Sequence, residues 1–460
     1  MTSTDCTSDG FTSKWGFILA CIGSAVGMGN IWRFPVMVST WGGLTFLLPY
    51  FFFVALIAST GVIEEFALGR STGHGPVGAF GACTKARFGT QLPGKLIGLL
   101  PVFGSFALAV GYTVVAGWIF RYAYLSITGQ LFSLGTDLGT IAAKFSETAP
   151  EANSIAQSAA LVFSGAGNPF WLVFGLITSL SILALGIAGG IEKANKLMMP
   201  VLFVLFLGLA VYVSRLPGVN AGYRYLLTLN PRGLLNPRLW IFAFGQAFFS
   251  LSVAGNGSVI YGAYLPKHED LISSAKQVAV FDTLAALLAA FVIIPAMSAG
   301  GAAPESGGPG LMFIYLVNVF NGMPGGRIVG IVFFICILFA GISSIINLYE
   351  APVATLQEVL GMRRLPAVLT AGTFGCGAAL LIQGVTSQWM DAVSIYICPF
   401  GAMLAGILFF WCLKEPDMLR AVNEGAKKPV GQNFIRMGRF VYIPLSLLAL
   451  IAGALLGGIG

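Results

Sequence analysis

The chain has 460 residues, of which 57% are hydrophobic and only 9% charged, against roughly 25% charged in an ordinary soluble domain. That deficit excludes a soluble globular protein and defines an integral membrane protein. The net charge of +7 reflects membrane topology and calls for no nucleic acid.

The first ten residues are polar without a basic cluster, so no cleavable signal peptide is expected. Eleven apolar stretches then follow, at about 16–40, 44–68, 96–124, 170–187, 194–214, 238–262, 279–299, 328–354, 366–384, 390–413 and 438–458. Each is long enough to cross a bilayer core, which takes about 20 helical residues. They are called spans 1 to 11 below.

Span 1 carries Gly23, Gly27 and Gly29 within seven residues. Glycine at that density predicts local unwinding in an otherwise helical span. Span 2 carries the adjacent acids Glu64 and Glu65, which point to different helix faces, and one of them is expected to hold a proton. Residues 126–168 are polar and rich in Ser and Gly. Span 6 repeats the break, running Phe249-Ser250-Leu251-Ser252-Val253-Ala254-Gly255-Asn256-Gly257. Residues 301–326, rich in Gly and Pro, have room for a short helical hairpin. Unwound backbone at membrane depth is tolerated only where it lines a protected polar cavity. Two such breaks far apart in sequence point to a transporter's central binding site.

With the N-terminus inside, the inner loops hold 17 Lys and Arg and the outer loops 7. This bias predicts a cytoplasmic N-terminus and, after eleven spans, an external C-terminus, although the outer loop 215–237 is itself basic. The breaks fall in spans 1 and 6, so spans 1–5 and 6–10 have opposite orientations. That predicts an all-α membrane fold built as a 5+5 inverted repeat, with residues 1–215 and 216–413 as the repeats and 414–460 carrying an inner loop and span 11. The seven cysteines lack metal spacing and form no external pair, and the only histidines are His74 and His268. The cysteines are read as packing residues, and two histidines make a histidine-based metal or catalytic site unexpected. The lean loops and missing external cysteine pair suggest a prokaryotic inner membrane.

Gly-Ser-Ala-Val-Gly-Met-Gly-Asn-Ile-Trp-Arg-Phe-Pro at 23–35 resembles the first-helix signature of the neurotransmitter:sodium symporter family, prokaryotic amino-acid transporter branch. Glu65–Arg70 resembles the end of its second helix, Gly245–Ser252 the start of its sixth, and Ala340–Ser344 its eighth-helix sodium motif. The likeness runs in consistent order from about residue 11 to 413. It implies a symporter that couples amino-acid or amine uptake to two sodium ions.

By resemblance, one sodium site takes the carbonyls of Gly23, Val26 and Ala340 and the hydroxyls of Ser343 and Ser344. The alternative for the two serines is back-bonding to their own helix. The other site takes the carbonyl of Ala25, the Asn30 side chain, Ser250 and Asp282, with the substrate carboxylate as a further ligand. Asp282 alternatively sits hydrated near the inner helix end. Gly27 stands where amine carriers have Asp, which implies an α-amino acid whose carboxylate reaches the amides of Met28 and Gly29. Tyr112 is implied to bind that carboxylate, and Leu108, Phe249, Ser252, Val253, Gly255, Ser343 and Leu348 to line the side-chain pocket. Gly255 replaces a bulky residue, so a large apolar or aromatic substrate is expected unless the backbone collapses into the space.

Arg33 and Asp391 resemble the external gate, with Phe249 as a lid, and Glu358 matches an inner-gate acid. The inner basic partner is missing: Ser8 and Phe11 stand near where relatives have Arg and Trp, which leaves Lys14 as a substitute. Gly190 and Pro200 match a spacing that lets span 5 unwind in relatives. Tyr50, Gln246 and Ser250 match chloride ligands, but Ala286 replaces the last serine. Chloride independence is expected, with Asp282 or Glu65 as the fixed charge. The expected partners are an amino acid and the lipid bilayer, with no set oligomeric state. A sodium-independent amino-acid carrier and a non-transporting amino-acid sensor stay open as alternatives. A membrane enzyme is disfavoured, since no nucleophile–base set or metal set occurs.

Overall fold

The computed structural model describes residues 10–148, 167–253, 257–299 and 310–456. Gly255, Ser8 and the first part of the 301–326 segment lie outside the described residues. The described chain is helical, with no strand among its residues. Lipid offers no hydrogen bonds, so each crossing segment must satisfy its backbone internally, and a helix does this without a partner.

Among the described residues, nine helices are long and apolar enough to cross a membrane, and a tenth span is formed by a bent pair. Span 2 is Gly43–Thr72, span 3 Leu92–Ile127, span 4 Gly167–Ala184, span 5 Ile187–Val213 and span 7 Leu271–Ala299. Spans 8 to 11 are Gly326–Leu360, Arg364–Leu381, Gln383–Cys412 and Gln432–Leu456. Span 1 is the bent pair, Lys14–Ala25 followed by Gly29–Trp41 at 53°. Span 6 consists of Pro237–Ser250 and Gly257–Ala263. Each of the eleven expected stretches therefore carries helix among the described residues, and several helices run longer than the apolar pattern showed. Five loops among the described residues carry longer helices of their own: Pro76–Phe88, Leu138–Thr148, Val219–Leu227, Leu311–Gly322 and Glu415–Asn423.

Serine and threonine hydroxyls turn back onto their own helices, as Thr113 does to Ala109 O at 2.8 Å and Ser446 to Tyr442 O at 2.9 Å. This hides a polar atom from lipid without a partner helix. Spans 3 and 8 pack along each other, and span 1 packs against spans 5, 7 and 8. The first half of span 6 lies on span 2's first half, and its second half on span 2's second half. The two broken spans therefore sit inside the bundle, with intact helices around them.

The N-terminal segment is tied to span 5. Glu192 accepts from Thr12 N and Thr12 Oγ1, both at 2.7 Å, from Ser13 Oγ at 3.0 Å, and from Lys196 Nζ at 2.5 Å. Phe11 is buried against Phe17 and Tyr261, with ring centroids 5.4 and 5.8 Å apart. Residues Ile187–Glu192 form a widened π-helical turn before the regular helix Lys193–Val213, which contains Pro200. The Gly190–Pro200 stretch is thus irregular at its glycine end.

Candidate functional site

The break in span 1 has a definite hydrogen-bond structure. Gly27 N turns to Asn30 Oδ1 at 3.4 Å, and Asn30 N bonds Gly27 O at 3.2 Å. A continuous α-helix would have sent these two amides to Gly23 O and Val26 O. Both carbonyls are thereby released from the helical ladder. In span 6, Ser252 adopts a left-handed backbone with φ +57°. An L-residue enters that region at a cost unless its surroundings hold it there. Ser252 Oγ donates to Ser24 O at 2.8 Å, which fastens one break to the other.

Around these breaks lies a buried polar cluster. Asn30 Nδ2 donates to Asp282 Oδ1 at 2.7 Å and to Asp282 O at 3.2 Å, and approaches Ser250 Oγ at 3.3 Å. Ser250 Oγ donates to Asp282 Oδ2 at 2.6 Å. Asp282 is fully buried, so the hydrated inner-end alternative does not describe it. Tyr50 OH and both side-chain polar atoms of Gln246 are buried with no hydrogen-bond partner.

A cavity of about 50 Å³ opens beside the cluster. It is lined by Ala25, Gly27, Gly29, Leu108, Tyr112, Phe249, Ser250, Ser252, Ser344 and Leu348, all named from the sequence. Met28 belongs instead to a second cavity of about 320 Å³, together with Arg33 and Asp391. Gly29, Tyr112 and Phe249 line both cavities and form their common wall. The Arg33 guanidinium carbon sits 4.7 Å from the Phe249 ring centroid, a cation–π arrangement above the smaller cavity. A Cβ at position 27 would overlap Ser344 Oγ, so a side chain there requires that hydroxyl to turn away.

Val253 and Ser343 are fully buried but do not line the central cavity. Ser343 Oγ donates to Ala340 O at 3.0 Å, the back-bonding geometry weighed above. Glu358 is exposed and accepts from Gly75 N at 2.6 Å, in the loop between spans 2 and 3. A second inner network joins the Arg364 guanidinium to Glu350 Oε2 at 2.7 Å, with Tyr264 OH donating to Glu350 Oε1 at 2.8 Å. Glu64 and Glu65 are fully buried, and neither Glu64 oxygen has a hydrogen-bond partner.

Sequence reading missed Ser24, Ser105 and Asn347, which also line the central cavity. Asn347 carried a signal: an amide four residues past Ser343 in a span otherwise apolar marks a functional position. Its Nδ2 donates to Ser343 O at 2.7 Å, and its Oδ1 is buried without a donor. No group of three or more His, Cys, Asp or Glu side chains able to hold a metal occurs among the described residues. The site instead offers carbonyl, hydroxyl, amide and single carboxylate oxygens, which suit a hard monovalent cation.

Two broken helices crossing at a buried, oxygen-lined cavity inside a helical bundle define a secondary transporter, and no enzyme. The sequence model of the Sodium:neurotransmitter symporter family matches residues 8–162 and 151–413, and the chain belongs to that family. It is 31% identical over 437 residues to an uncharacterised sodium-dependent transporter of Methanocaldococcus jannaschii, covering 92% of this chain and 86% of that protein. A mouse sodium-dependent neutral amino acid transporter, B(0)AT3, is 29% identical over 62% of this chain and 47% of its own. The crystal structure of MhsT in complex with L-phenylalanine superposes with a TM-score of 0.82 at 33% identity, covering 96% of this chain and 99% of that one. The protein is thus a multi-pass membrane transporter with the fold of MhsT.

Proposed function

We propose that the protein is a sodium-coupled symporter that imports a neutral L-amino acid with a large apolar or aromatic side chain by alternating access. The observation that carries this reading is the joint release of Gly23 O and Val26 O beside a buried Asn30–Ser250–Asp282 cluster, at a cavity whose Gly27 bears no acid. The neutral amino-acid transport in the name of B(0)AT3 and the phenylalanine bound by MhsT support the substrate class.

In this reading the donor set fits two cations. Asn30 Oδ1 accepts from Gly27 N and keeps a lone pair, so that the cluster presents it with Ser250 Oγ, the Asp282 carboxylate and Ala25 O to one ion. Gly23 O, Val26 O and Ala340 O, with the hydroxyls of Ser343 and Ser344, serve the other. A hydroxyl that donates to Ala340 O keeps lone pairs for an ion. The substrate carboxylate is received by the first amides after the break, those of Met28 and Gly29, where helix-start donors favour negative charge. Tyr112 assists it, and Phe249 with Arg33 closes the cavity toward Asp391. Ions and substrate bound together favour the closed outer wall by their differential affinity for it. Helices around the fixed site then rearrange to close it on one side and open it on the other.

Ser344→Ala separates ligand from helix back-bonding. The sodium midpoint for substrate binding is expected to rise about tenfold, since a bond to a charged partner contributes about 1.5–3 kcal/mol. Amino-acid preference at saturating sodium should hold. An unchanged midpoint would place Ser344 outside the ion's ligands.

Asn347 gives the pocket one polar point, its Oδ1 acceptor. Asn347→Leu should therefore weaken tryptophan and tyrosine, whose rings carry a donor, about fivefold relative to phenylalanine and leucine. Competition against one labelled substrate reads this directly. A parallel loss for all four would mean that Asn347 only packs.

The reading as a whole is tested by competition of the twenty amino acids with and without sodium. Large neutral side chains should compete best, and only in sodium. Preference for glycine or alanine would remove the large-pocket part, and binding without sodium would favour a sodium-independent carrier.

A further inference from the structure

Asn195 has no role in the account so far. It lies in span 5, in the first turn of regular helix after the π-helical turn Ile187–Glu192, and is fully buried. Its Nδ2 donates to Ile191 O at 2.9 Å, which fixes the end of the amide that faces away from its own helix. That end, Oδ1, is buried with no hydrogen-bond partner. It faces Gly23 of span 1: a Cβ built on Gly23 would overlap Asn195 Oδ1 and stand 3.4 Å from Ser343 Cβ of span 8. Only glycine at position 23 lets this amide oxygen come so close.

A bare acceptor is therefore aimed at the place where span 1 releases Gly23 O and span 8 presents Ser343. A buried acceptor without a donor is destabilising, and native folds keep few of them. A carbonyl-type oxygen among other oxygens is also what a hard cation takes. We propose that Asn195 Oδ1 is a further oxygen of the cation site between spans 1 and 8, on the side turned toward span 5, acting on the ion directly or through one water. The inference rests on the sodium-coupled reading above and adds a ligand from a third helix to it.

The test uses the full-length protein in detergent or proteoliposomes. Its readouts are the sodium midpoint for binding of a labelled neutral amino acid, and direct binding of radioactive sodium. Asn195→Leu keeps the size and removes the oxygen, and should raise the midpoint about tenfold. Asn195→Asp adds a charge and should lower it. Substrate affinity at saturating sodium should stay at the wild-type value in both. Opposite shifts are the signature of an oxygen acting on the ion, because a packing defect moves both variants the same way. Unchanged midpoints in both, or equal rises with weakened substrate binding at saturating sodium, would overturn the proposal. If Asn195→Leu does not fold, the downward shift in Asn195→Asp decides alone. Wild-type binding that needs no sodium would defeat the underlying function instead, and the wild-type titration by itself tells the two failures apart.

Discussion

Gly27→Asp is expected to abolish amino-acid binding, with an affinity loss on the order of a hundredfold or more. Two costs add. A side chain at position 27 meets Ser344 Oγ and forces that hydroxyl to turn away, and overpacking a tight site costs about 1–3 kcal/mol. The new carboxylate then stands where the substrate's own is received, and near-contact like charges cost about 1–4 kcal/mol in surroundings between water and a protein surface. Gly27→Ala separates the terms. It meets the same hydroxyl without the charge and should lose about tenfold. The measurement is equilibrium binding of a labelled amino acid at saturating sodium. Wild-type affinity in Gly27→Asp would put the substrate carboxylate elsewhere.

Asp282→Ala is expected to remove sodium-dependent binding within any practical concentration range, a shift of at least about a hundredfold in the sodium midpoint. Asp282 is fully buried and receives hydrogen bonds from both Asn30 and Ser250. Its removal takes away the one carboxylate in the cluster. It also strands the Asn30 and Ser250 donors, at about 1–3 kcal/mol for each buried group left unpaired. Asp282→Asn keeps an oxygen to accept from Asn30 and turns an NH2 toward Ser250, whose hydroxyl can accept it, so it should destabilise less and shift the midpoint less. A sodium midpoint in Asp282→Ala equal to wild type would detach the cluster from the ion.

The positions of the two breaks were legible in the sequence because glycine clusters are conspicuous inside apolar spans. The family resemblance, running from residue 11 to 413, then named most of the residues that line the central cavity, from Ala25 and Gly27 to Tyr112, Phe249 and Ser344. The sequence could not show how the break in span 1 releases its carbonyls. That depends on Gly27 N choosing Asn30 Oδ1 over Gly23 O, a choice between two acceptors that composition leaves equal. Ser252 carried no warning either, since its left-handed backbone is imposed by the bond to Ser24 across the bundle. Asn347 and Asn195 were visible as amides in apolar spans. Their importance depends on which atom is already bonded, and only the fold decides that. The inner-gate expectation also meets a tertiary partner: Glu358 bonds Gly75 N, a residue 283 positions away.

Sodium dependence of substrate binding is the central claim. Its most direct test is equilibrium binding of a labelled large neutral amino acid, titrated with sodium chloride at constant ionic strength against choline and potassium. Binding should rise steeply with sodium and vanish in choline and in potassium, and replacing chloride by gluconate should leave it unchanged. Undiminished binding in sodium-free buffer would contradict the account.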